Sequence, residues 1–308
     1  MKSLKIVFMG TPEFACSILQ SLIDSRHEVI AVVSQPDKKV GRKQIIQETP
    51  TKQLARKYHI DVIQPIKIKE DYNKILSYQP DLIVTCAYGQ MIPETLLNMP
   101  KYGSLNVHAS LLPKLRGGAP IHKSIIYGEE KTGVSIMRMV NKMDAGDYML
   151  QQEVTIDSND TAGTLYKKLM VIGSQAIITA IDSLVEGTAK FVKQDESKVS
   201  FAYNISKEEE KIDLDKSYKD VYNHIRGLIP WPVGYVYFHD KKLKIHGVKL
   251  SEKKCDVPIG ELFVEDKQVF LSCHGGVVQL CEVQLEGKKR CSAIEFINGN
   301  KSKIIGGE

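Results

Sequence analysis

The feature that most constrains the fold is an alternation of short apolar runs with amphipathic stretches in the first part of the chain. Lys5–Met9 has the composition of a buried strand, and Pro12–Ser25 has the apolar spacing of the helix that follows it. Glu28–Val33 is predicted to be the second strand, and Pro50–Tyr58 a helix with Thr49 as its N-cap. This order predicts a β-α-β arrangement.

Further apolar runs extend the same pattern. Asp81–Thr85 and Ser104–His108 are predicted to be strands, and Gly133–Val140 is strand-like. A long helix over Thr161–Val185 is expected to close this part of the chain. We therefore expect an α/β domain with a doubly wound, mostly parallel sheet, helices on both faces and ligands at the carboxyl ends of the strands.

The last third of the chain has a different pattern. From Tyr235 onward, short alternating strands are separated by Lys, Gly and Asp residues, which is typical of a small β-barrel or sandwich, and we expect an OB-like β-barrel. A chain of 308 residues also exceeds what one core usually holds. We predict two domains, residues 1–203 and 204–308, and expect Trp231, between two prolines, to be a packed anchor.

Composition adds few constraints. A net charge of +5 suits a polyanionic partner but does not require one. The six cysteines form no C-x-x-C pair and no histidine completes a zinc-like set, so we expect reduced thiols and no metal. No apolar stretch has the length of a membrane span or signal peptide, which predicts a cytoplasmic protein without a membrane partner. No feature demands more than a monomer.

The densest group of chemically useful side chains lies at the end of the Ser104–His108 strand. Alternation along a strand puts Asn106 and His108 on one face, so an amide donor and an imidazole can point at one atom. This pair suits acyl transfer, in which an oxyanion needs donors and protons must move near neutral pH.

Asp144 is the candidate carboxylate, because it lies in a turn that Gly146 allows to bend tightly. A carboxylate beside His108 would orient the ring and favour its protonated form. These residues alone leave the function undecided, since a hydrolase using Ser110 would compete, although no G-x-S-x-G elbow is present.

Together with the neighbouring motif, these residues resemble the signature of the formyltetrahydrofolate-dependent formyl transferases. The shared pattern is Asn106-x-His108, the loop Ser110–Pro113 with Arg116-Gly117, and Asp144. The resemblance implies that Asn106, His108 and Asp144 are the catalytic trio. It implies that the folate-binding loop is formed by Ser110, Leu111, Leu112 and Pro113.

A second segment, Ala87–Pro93, is similar to the loop of this family that faces the pterin ring of the folate. The resemblance implies folate contacts from Tyr88, Gln90 and Ile92. It also implies 10-formyltetrahydrofolate as the formyl donor, and no metal.

Three features resemble the branch of the family that formylates methionyl initiator tRNA: the Met9–Phe14 turn, the C-terminal part of the chain, and a basic loop. In that loop the implied tRNA-binding residues are Lys38, Lys39, Arg42 and Lys43, whose charges suit phosphates. Formyl transfer to an amino sugar nucleotide, hydrolysis of 10-formyltetrahydrofolate and a non-catalytic RNA-binding role remain as alternatives.

Overall fold

The computed structural model describes residues 2–41, 44–254 and 256–300. The chain divides into two compact units. The first contains the chain up to Pro120, then Thr132–Val154 and Tyr166–Tyr203, and the second contains Ile121–Lys131, Thr155–Leu165 and the chain from Asn204 onward. The continuous division at residues 203 and 204 stays a prediction about domains.

The described elements, in chain order, fall into fifteen strands and eight helices. The strands are β1 (Lys5–Gly10), β2 (Glu28–Val33), β3 (Lys38–Val40), β4 (Ile45–Gln47), β5 (Asp61–Ile63), β6 (Leu82–Cys86), β7 (Ser104–His108), β8 (Lys131–Arg138), β9 (Tyr148–Thr155), β10 (Tyr235–Phe238), β11 (Lys241–Leu250), β12 (Leu262–Glu265), β13 (Gln268–Cys273), β14 (Gly276–Leu285) and β15 (Cys291–Ser292). The helices are α1 (Glu13–Ile23), α2 (Pro50–Lys57), α3 (Asn73–Ser77), α4 (Glu94–Asn98), α5 (Pro120–Ile126), α6 (Ala162–Glu186), α7 (Tyr218–Gly227) and α8 (Ala293–Asn298).

The first unit is built on a seven-stranded sheet with the order β5-β2-β1-β6-β7-β8-β9. Its first five strands pair in parallel, and β8 pairs antiparallel with β7. The chain winds outward from β1 to β2 and β5, then returns to β6 on the other side of β1. This order confirms the doubly wound, mostly parallel sheet that the sequence predicts.

Apolar layers cover both faces of this sheet. On one face, Val7 and Met9 of β1 pack in a buried cluster with residues of α3 and α4 such as Ile75 and Leu96. On the other, Gly173 of α6 leaves room for close approach to Ile18 of α1 and to strands β7 and β8. Burial of these side chains, at about 25 cal/mol per Å² of apolar surface, supplies most of the stabilisation.

Helix α6 is long and apolar enough, by length and composition alone, to cross a membrane. Its buried residues recur at helical spacing, with Leu169, Ala176, Ile177, Ala180 and Ile181 each at most 1% exposed. This single buried row is typical of the core helix of a globular unit, which passes the same test of length and hydropathy.

Three strands of the sheet end at nearly the same level. Gly10 at the end of β1 pairs with Cys86 at the end of β6, and Thr85 of β6 pairs with Asn106 of β7. The turns that follow these strands therefore leave the sheet along one edge. Because β1 and β6 flank the point where the winding direction reverses, this edge is the expected ligand crevice of a doubly wound sheet.

The second unit contains a six-stranded antiparallel sheet with β10-β11-β14-β13-β12 in order and β15 beside β14. Residues of α7 and α8, including Ile225 and Phe296, fill its core with Leu243 and Leu271. This antiparallel sheet, with helices packed against it, confirms the small barrel-like β-structure that the alternating pattern predicts for the C-terminal part.

The expectation that Trp231 is a packed anchor is wrong. Its side chain is 69% exposed, and its ring and that of His122 meet at a steep angle, with the ring centroids 6.3 Å apart. The flanking prolines do form a turn after α7, but a rigid turn does not decide whether the ring it carries points toward the core or toward solvent.

Helix α1 lacks a side-chain cap at its N-terminus because Pro12 occupies the N-cap position. The Phe14 N–H instead donates to the Tyr166 hydroxyl of α6 at 2.6 Å. The two rings meet edge to face with centroids 5.3 Å apart. Tyr166 thus supplies the acceptor that a capping Ser or Asp would give.

We expect Tyr166→Phe to lower the free energy of unfolding by about 1–2 kcal/mol, because the ring contact remains while the Phe14 N–H loses its acceptor. Thermal and urea unfolding measure the change. Tyr58→Phe is the matched control, since the Tyr58 hydroxyl accepts from Gln20 at the surface, where water replaces it. Equal stability of the two variants would contradict the capping role.

Candidate active site

Asn106 is the first predicted site residue on the carboxyl edge of the sheet. The Thr85 hydroxyl of the adjacent strand β6 lies 2.8 Å from Asn106 Oδ1, which is the shortest of the hydrogen bonds that this hydroxyl makes. Because a hydroxyl proton points at the amide oxygen, the Nδ2 amino group is the end of the side chain left to donate to a ligand. Asn106 is only partly buried, so that group is accessible.

His108 ends β7 two residues later and is 5% exposed. Its Nε2 lies 3.0 Å from the Leu115 carbonyl oxygen, so this nitrogen carries the proton and donates. Its Nδ1 faces Asp144 Oδ2 at 3.7 Å, which is an ion-pair distance rather than a direct hydrogen bond. Both nitrogens therefore have protein partners, and oxyanion donation by His108 stays a prediction.

Asp144 reaches His108 from the turn between β8 and β9. Its backbone has φ of +47°, in the left-handed region that Asp tolerates better than most residues. Its Oδ2 accepts from the Gly117 N–H at 2.9 Å. The backbone of Gly117 comes close enough for this bond only without a side chain, because a Cβ would lie 2.6 Å from the Ala202 carbonyl oxygen.

The trio predicted from the sequence is thus brought together by three separate segments. An amide donor, an imidazole and a carboxylate lie at the end of β7, and the carboxylate accepts a hydrogen bond from a backbone N–H and faces the ring. Such a set can donate to a developing oxyanion and exchange protons with a nucleophile, which are the two requirements of acyl transfer.

The Ser110–Pro113 loop is held by buried hydrogen bonds. Ser110 is fully buried and donates from Oγ to the Lys114 carbonyl at 2.6 Å. Ser135 of β8 donates to the Ser110 carbonyl and accepts from the Leu112 N–H. Leu111 and Pro113 remain partly exposed, so these two residues are the members of the loop available to a ligand.

The Ala87–Pro93 segment alternates between inward and outward residues. The side chains of Tyr88 and Ile92 are buried in the apolar layer that contains Val7 and Met9. Burial raises the pKa of Tyr88 to about 12, and its hydroxyl has no hydrogen-bond partner among the described residues. The folate contacts predicted for Tyr88 and Ile92 stay a prediction.

Both ends of the Gln90 side-chain amide are also hydrogen-bonded within the protein. Its Oε1 accepts from the Ile68 N–H at 2.8 Å, and its Nε2 donates to Gln35 Oε1 and the Ile66 carbonyl, both at 3.2 Å. The outward residues of the segment are Ala87, Gly89 and Met91. Gln90 therefore shapes the loop, and its direct role in folate binding remains a prediction.

The basic loop contains a short antiparallel pair of strands, β3 and β4. Lys38 and Lys39 are exposed on β3, whereas the predicted Arg42 and Lys43 lie outside the described residues. Hydrogen bonds from Lys52 and Gln64 hold the pKa of Asp37 below its ordinary value, so Asp37 is ionised and paired at 2.5 Å with Lys52. Asp37 is thus paired with Lys52 rather than with Lys38 or Lys39.

Sequence reasoning missed the residues that support the site. Thr85, Ser135 and Gln151 orient Asn106 and the Ser110–Pro113 loop, and Gln35 bridges the turns after β2 and β6. Polar residues within otherwise apolar strands, such as Thr85 and Ser135, are the one signal that could have found them.

No group of three or more His, Cys, Asp or Glu residues that could hold a metal ion lies in residues 2–41, 44–254 or 256–300. The cysteines that the structure describes are free thiols. Burial raises the pKa of the Cys16 thiol to about 11, with a smaller contribution from Glu13, so this thiol stays protonated at neutral pH.

Comparison with known proteins fits this geometry. A model described as formyl transferase matches residues 4–181, and a model of the formyl transferase C-terminal domain matches residues 204–301. The methionyl-tRNA formyltransferase of Bacillus cytotoxicus is 46% identical over 305 residues, which cover 98% of this chain and 97% of that protein.

Two solved structures share the fold at low sequence identity. An N-formyltransferase from Helicobacter canadensis, solved with folinic acid and dTDP-3-aminofucose, has a TM-score of 0.68 at 20% identity, over 91% of this chain and 100% of that one. A variant of HypX from Aquifex aeolicus has a TM-score of 0.69 at 15% identity, over 98% of this chain and 50% of that one, so this chain spans about half of HypX. The family expected from the motifs is confirmed: the chain belongs to the formyl transferase family, in the group that includes the methionyl-tRNA formyltransferases.

Proposed function

We propose that this formyl transferase moves the formyl group of 10-formyltetrahydrofolate to the α-amino group of methionyl initiator tRNA, giving N-formylmethionyl-tRNA. The observation that carries the proposal is the meeting of Asn106, His108 and Asp144 at the carboxyl edge of β7. The choice of tRNA as acceptor is supported by the 46% identity to a methionyl-tRNA formyltransferase over nearly the whole chain.

Asn106 is the proposed oxyanion donor. The formyl donor supplies an electrophilic carbon, and attack by an amine turns its carbonyl oxygen into an oxyanion. Thr85 fixes the amide oxygen of Asn106, so the Nδ2 group is preorganised to donate to that oxyanion without first rotating. Preorganised donors of this kind lower a barrier because they do not reorganise during the reaction.

His108 and Asp144 are the proposed proton carriers. The attacking amine must lose a proton and the departing folate nitrogen must gain one. Asp144 faces Nδ1 of the ring and stabilises positive charge there, so a proton taken up by the ring is held until the leaving nitrogen accepts it.

The folate is proposed to lie along the same edge, against the turn after β6. The backbone there faces outward at Ala87, Gly89 and Met91, while Gln90 and Gln35 brace it from inside. Leu111 and Pro113 supply the nearest partly exposed apolar surface on the following loop. Polar backbone beside apolar surface suits a flat pterin ring with amide-like edges.

The test of the trio measures N-formylmethionine and free formate in the same reaction. We expect Asn106→Ala to lower kcat by roughly 10²–10³-fold because it removes the oxyanion donor. Asn98→Ala, at an exposed position at the end of α4, is the matched control and should retain activity. Full activity of the Asn106 variant would reject its role.

The second product decides between transfer and hydrolysis. If the wild-type protein releases formate from 10-formyltetrahydrofolate at the same rate with and without methionyl-tRNA, and forms no N-formylmethionine, then water is the acceptor and the proposed function is wrong. Binding of tRNA without consumption of the formyl donor would instead support the non-catalytic alternative.

The basic loop yields a separate prediction. Replacing Lys38 and Lys39 together by Gln should raise the KM for tRNA and make the slope of log affinity against log salt shallower by roughly 0.7–0.9 per lost phosphate contact. The KM for the folate should not change, because these two side chains are exposed on β3 and are not part of the β6 and β7 turns proposed to bind the folate.

A matched double variant controls for total charge. Lys57→Gln with Lys74→Gln removes the same two charges from exposed positions on α2 and α3. If both double variants change the salt slope equally, the effect belongs to net charge and the basic loop has no specific role in tRNA binding.

A further inference from the structure

A buried glutamine outside the predicted site is bonded to the loops that carry it. Gln194 is 4% exposed and lies in a stretch after α6, residues 192–202, which we call the clasp segment. The clasp segment pairs with the start of β9 through Val192 and Tyr148 and with the loop after β7 through Ala202 and Arg116. It therefore joins the Asp144 turn to the loop that contains Gly117.

The amide of Gln194 uses both of its ends. Its Oε1 accepts two hydrogen bonds from the Arg116 guanidinium, at 3.0 and 2.8 Å. Its Nε2 donates to the Asp144 carbonyl at 2.8 Å and to the Gly146 carbonyl at 2.6 Å. Both amide protons and the amide oxygen are thus committed, which uses the acceptor and the two donors of a primary amide together.

These contacts bear on the backbone of Asp144. A residue held at φ of +47° costs free energy unless its surroundings fix it, and the Gln194 bonds hold the backbone carbonyl of Asp144 and that of Gly146, two residues further along the turn. On the opposite side, Arg116 is almost fully buried, with Glu196 as a further partner at 2.8 Å, and the next residue, Gly117, donates to the Asp144 carboxylate.

We propose that Gln194 is a positioning residue for the reaction, acting through Asp144. By tying the Asp144 turn to Arg116, Gln194 fixes the distance between the Asp144 carboxylate and the His108 ring. This inference rests on the proposed formyl transfer, because it assigns to Gln194 the placement of a proposed catalytic carboxylate.

The Gln194 amide has two functions, accepting from Arg116 and donating to the Asp144 turn, and one substitution can separate them. Gln194→Glu keeps the volume and the acceptor for Arg116, and adds charge-assisted pairing. It removes both N–H donors and places negative charge against the carbonyls of Asp144 and Gly146. This variant therefore retains the contact that compensates the buried Arg116 charge and releases the Asp144 turn.

We expect Gln194→Glu to lower kcat for N-formylmethionyl-tRNA formation by about 10–100-fold, with little change in either KM, because misplacement of the carboxylate affects the transition state rather than binding. Asp195→Asn is the matched control: Asp195 is the exposed neighbour whose side chain caps a 3-10 turn, and Asn caps equally well. It should leave kcat unchanged.

A double-mutant cycle distinguishes positioning from general destabilisation. In an Asp144→Asn background, Gln194→Glu should cost less than about threefold, because the carboxylate through which it acts is already gone. If it costs the same factor in both backgrounds, Gln194 does not act through Asp144 and the proposal is overturned. Should Gln194→Glu not fold, Gln194→Asn, with the same amide on a shorter chain, serves in its place.

A second measurement needs no turnover. The Gly117 N–H bonds the Asp144 carboxylate, so its amide hydrogen exchange, followed by NMR, should accelerate in Gln194→Glu and stay unchanged in Asp195→Asn. Unchanged exchange in Gln194→Glu would overturn the proposal. If the wild-type protein made no N-formylmethionyl-tRNA, the proposed function would fail, while exchange at Gly117 would still decide whether Gln194 holds Asp144.

Discussion

The rest of the site depends on the register in which the parallel strands β1, β6 and β7 pair. Parallel strands in register end at the same edge, and the pairs Gly10 with Cys86 and Thr85 with Asn106 bring three strand ends together. The turns after β1 and β6 meet there, with the Thr11 hydroxyl 3.3 Å from the Tyr88 carbonyl. A shift of one residue in the β6–β7 pair would turn Asn106 to the opposite face and separate it from Thr85.

On this edge, catalysis depends on groups held before any substrate arrives. The Asp144 carboxylate is partly buried, where a charge is costly unless it is paired, and it is paired with the Gly117 N–H and the His108 ring. The Leu115 carbonyl and the Asp144 carboxylate both point at the His108 ring. Both residues have left-handed backbone, a conformation that costs free energy. That cost is offset by the surrounding hydrogen bonds, which include those that Gln194 donates to the Asp144 turn.

Much of this architecture follows from the sequence because the patterns involved are local. Strand and helix positions come from apolar periodicity, and Asn106 and His108 share a face because strands alternate. The sequence also offers Asp144 as the candidate carboxylate, first from its place in a turn and then from the family resemblance. What it leaves open is direction: Tyr88 and Ile92 turn inward while their neighbours face out, and Trp231 points to solvent from a rigid turn.

The supporting residues were hidden for a related reason. Gln194 lies in a polar stretch after α6, and its sequence gives no sign that its amide joins two loops about fifty and eighty residues earlier in the chain. Long-range hydrogen bonds of this kind have no periodicity to detect. Only the folded backbone brings their donors and acceptors together.

Formyl transfer to methionyl initiator tRNA is tested by offering the protein two amines and measuring which one receives the formyl group. The wild-type protein is given 10-formyltetrahydrofolate with isotopically labelled formyl carbon, together with methionyl initiator tRNA and an amino sugar nucleotide at equal concentration, and mass spectrometry follows the label. If methionyl-tRNA is the acceptor, the label should appear on the methionine amino group in preference to the sugar. Label on the sugar, or in formate alone, would contradict it.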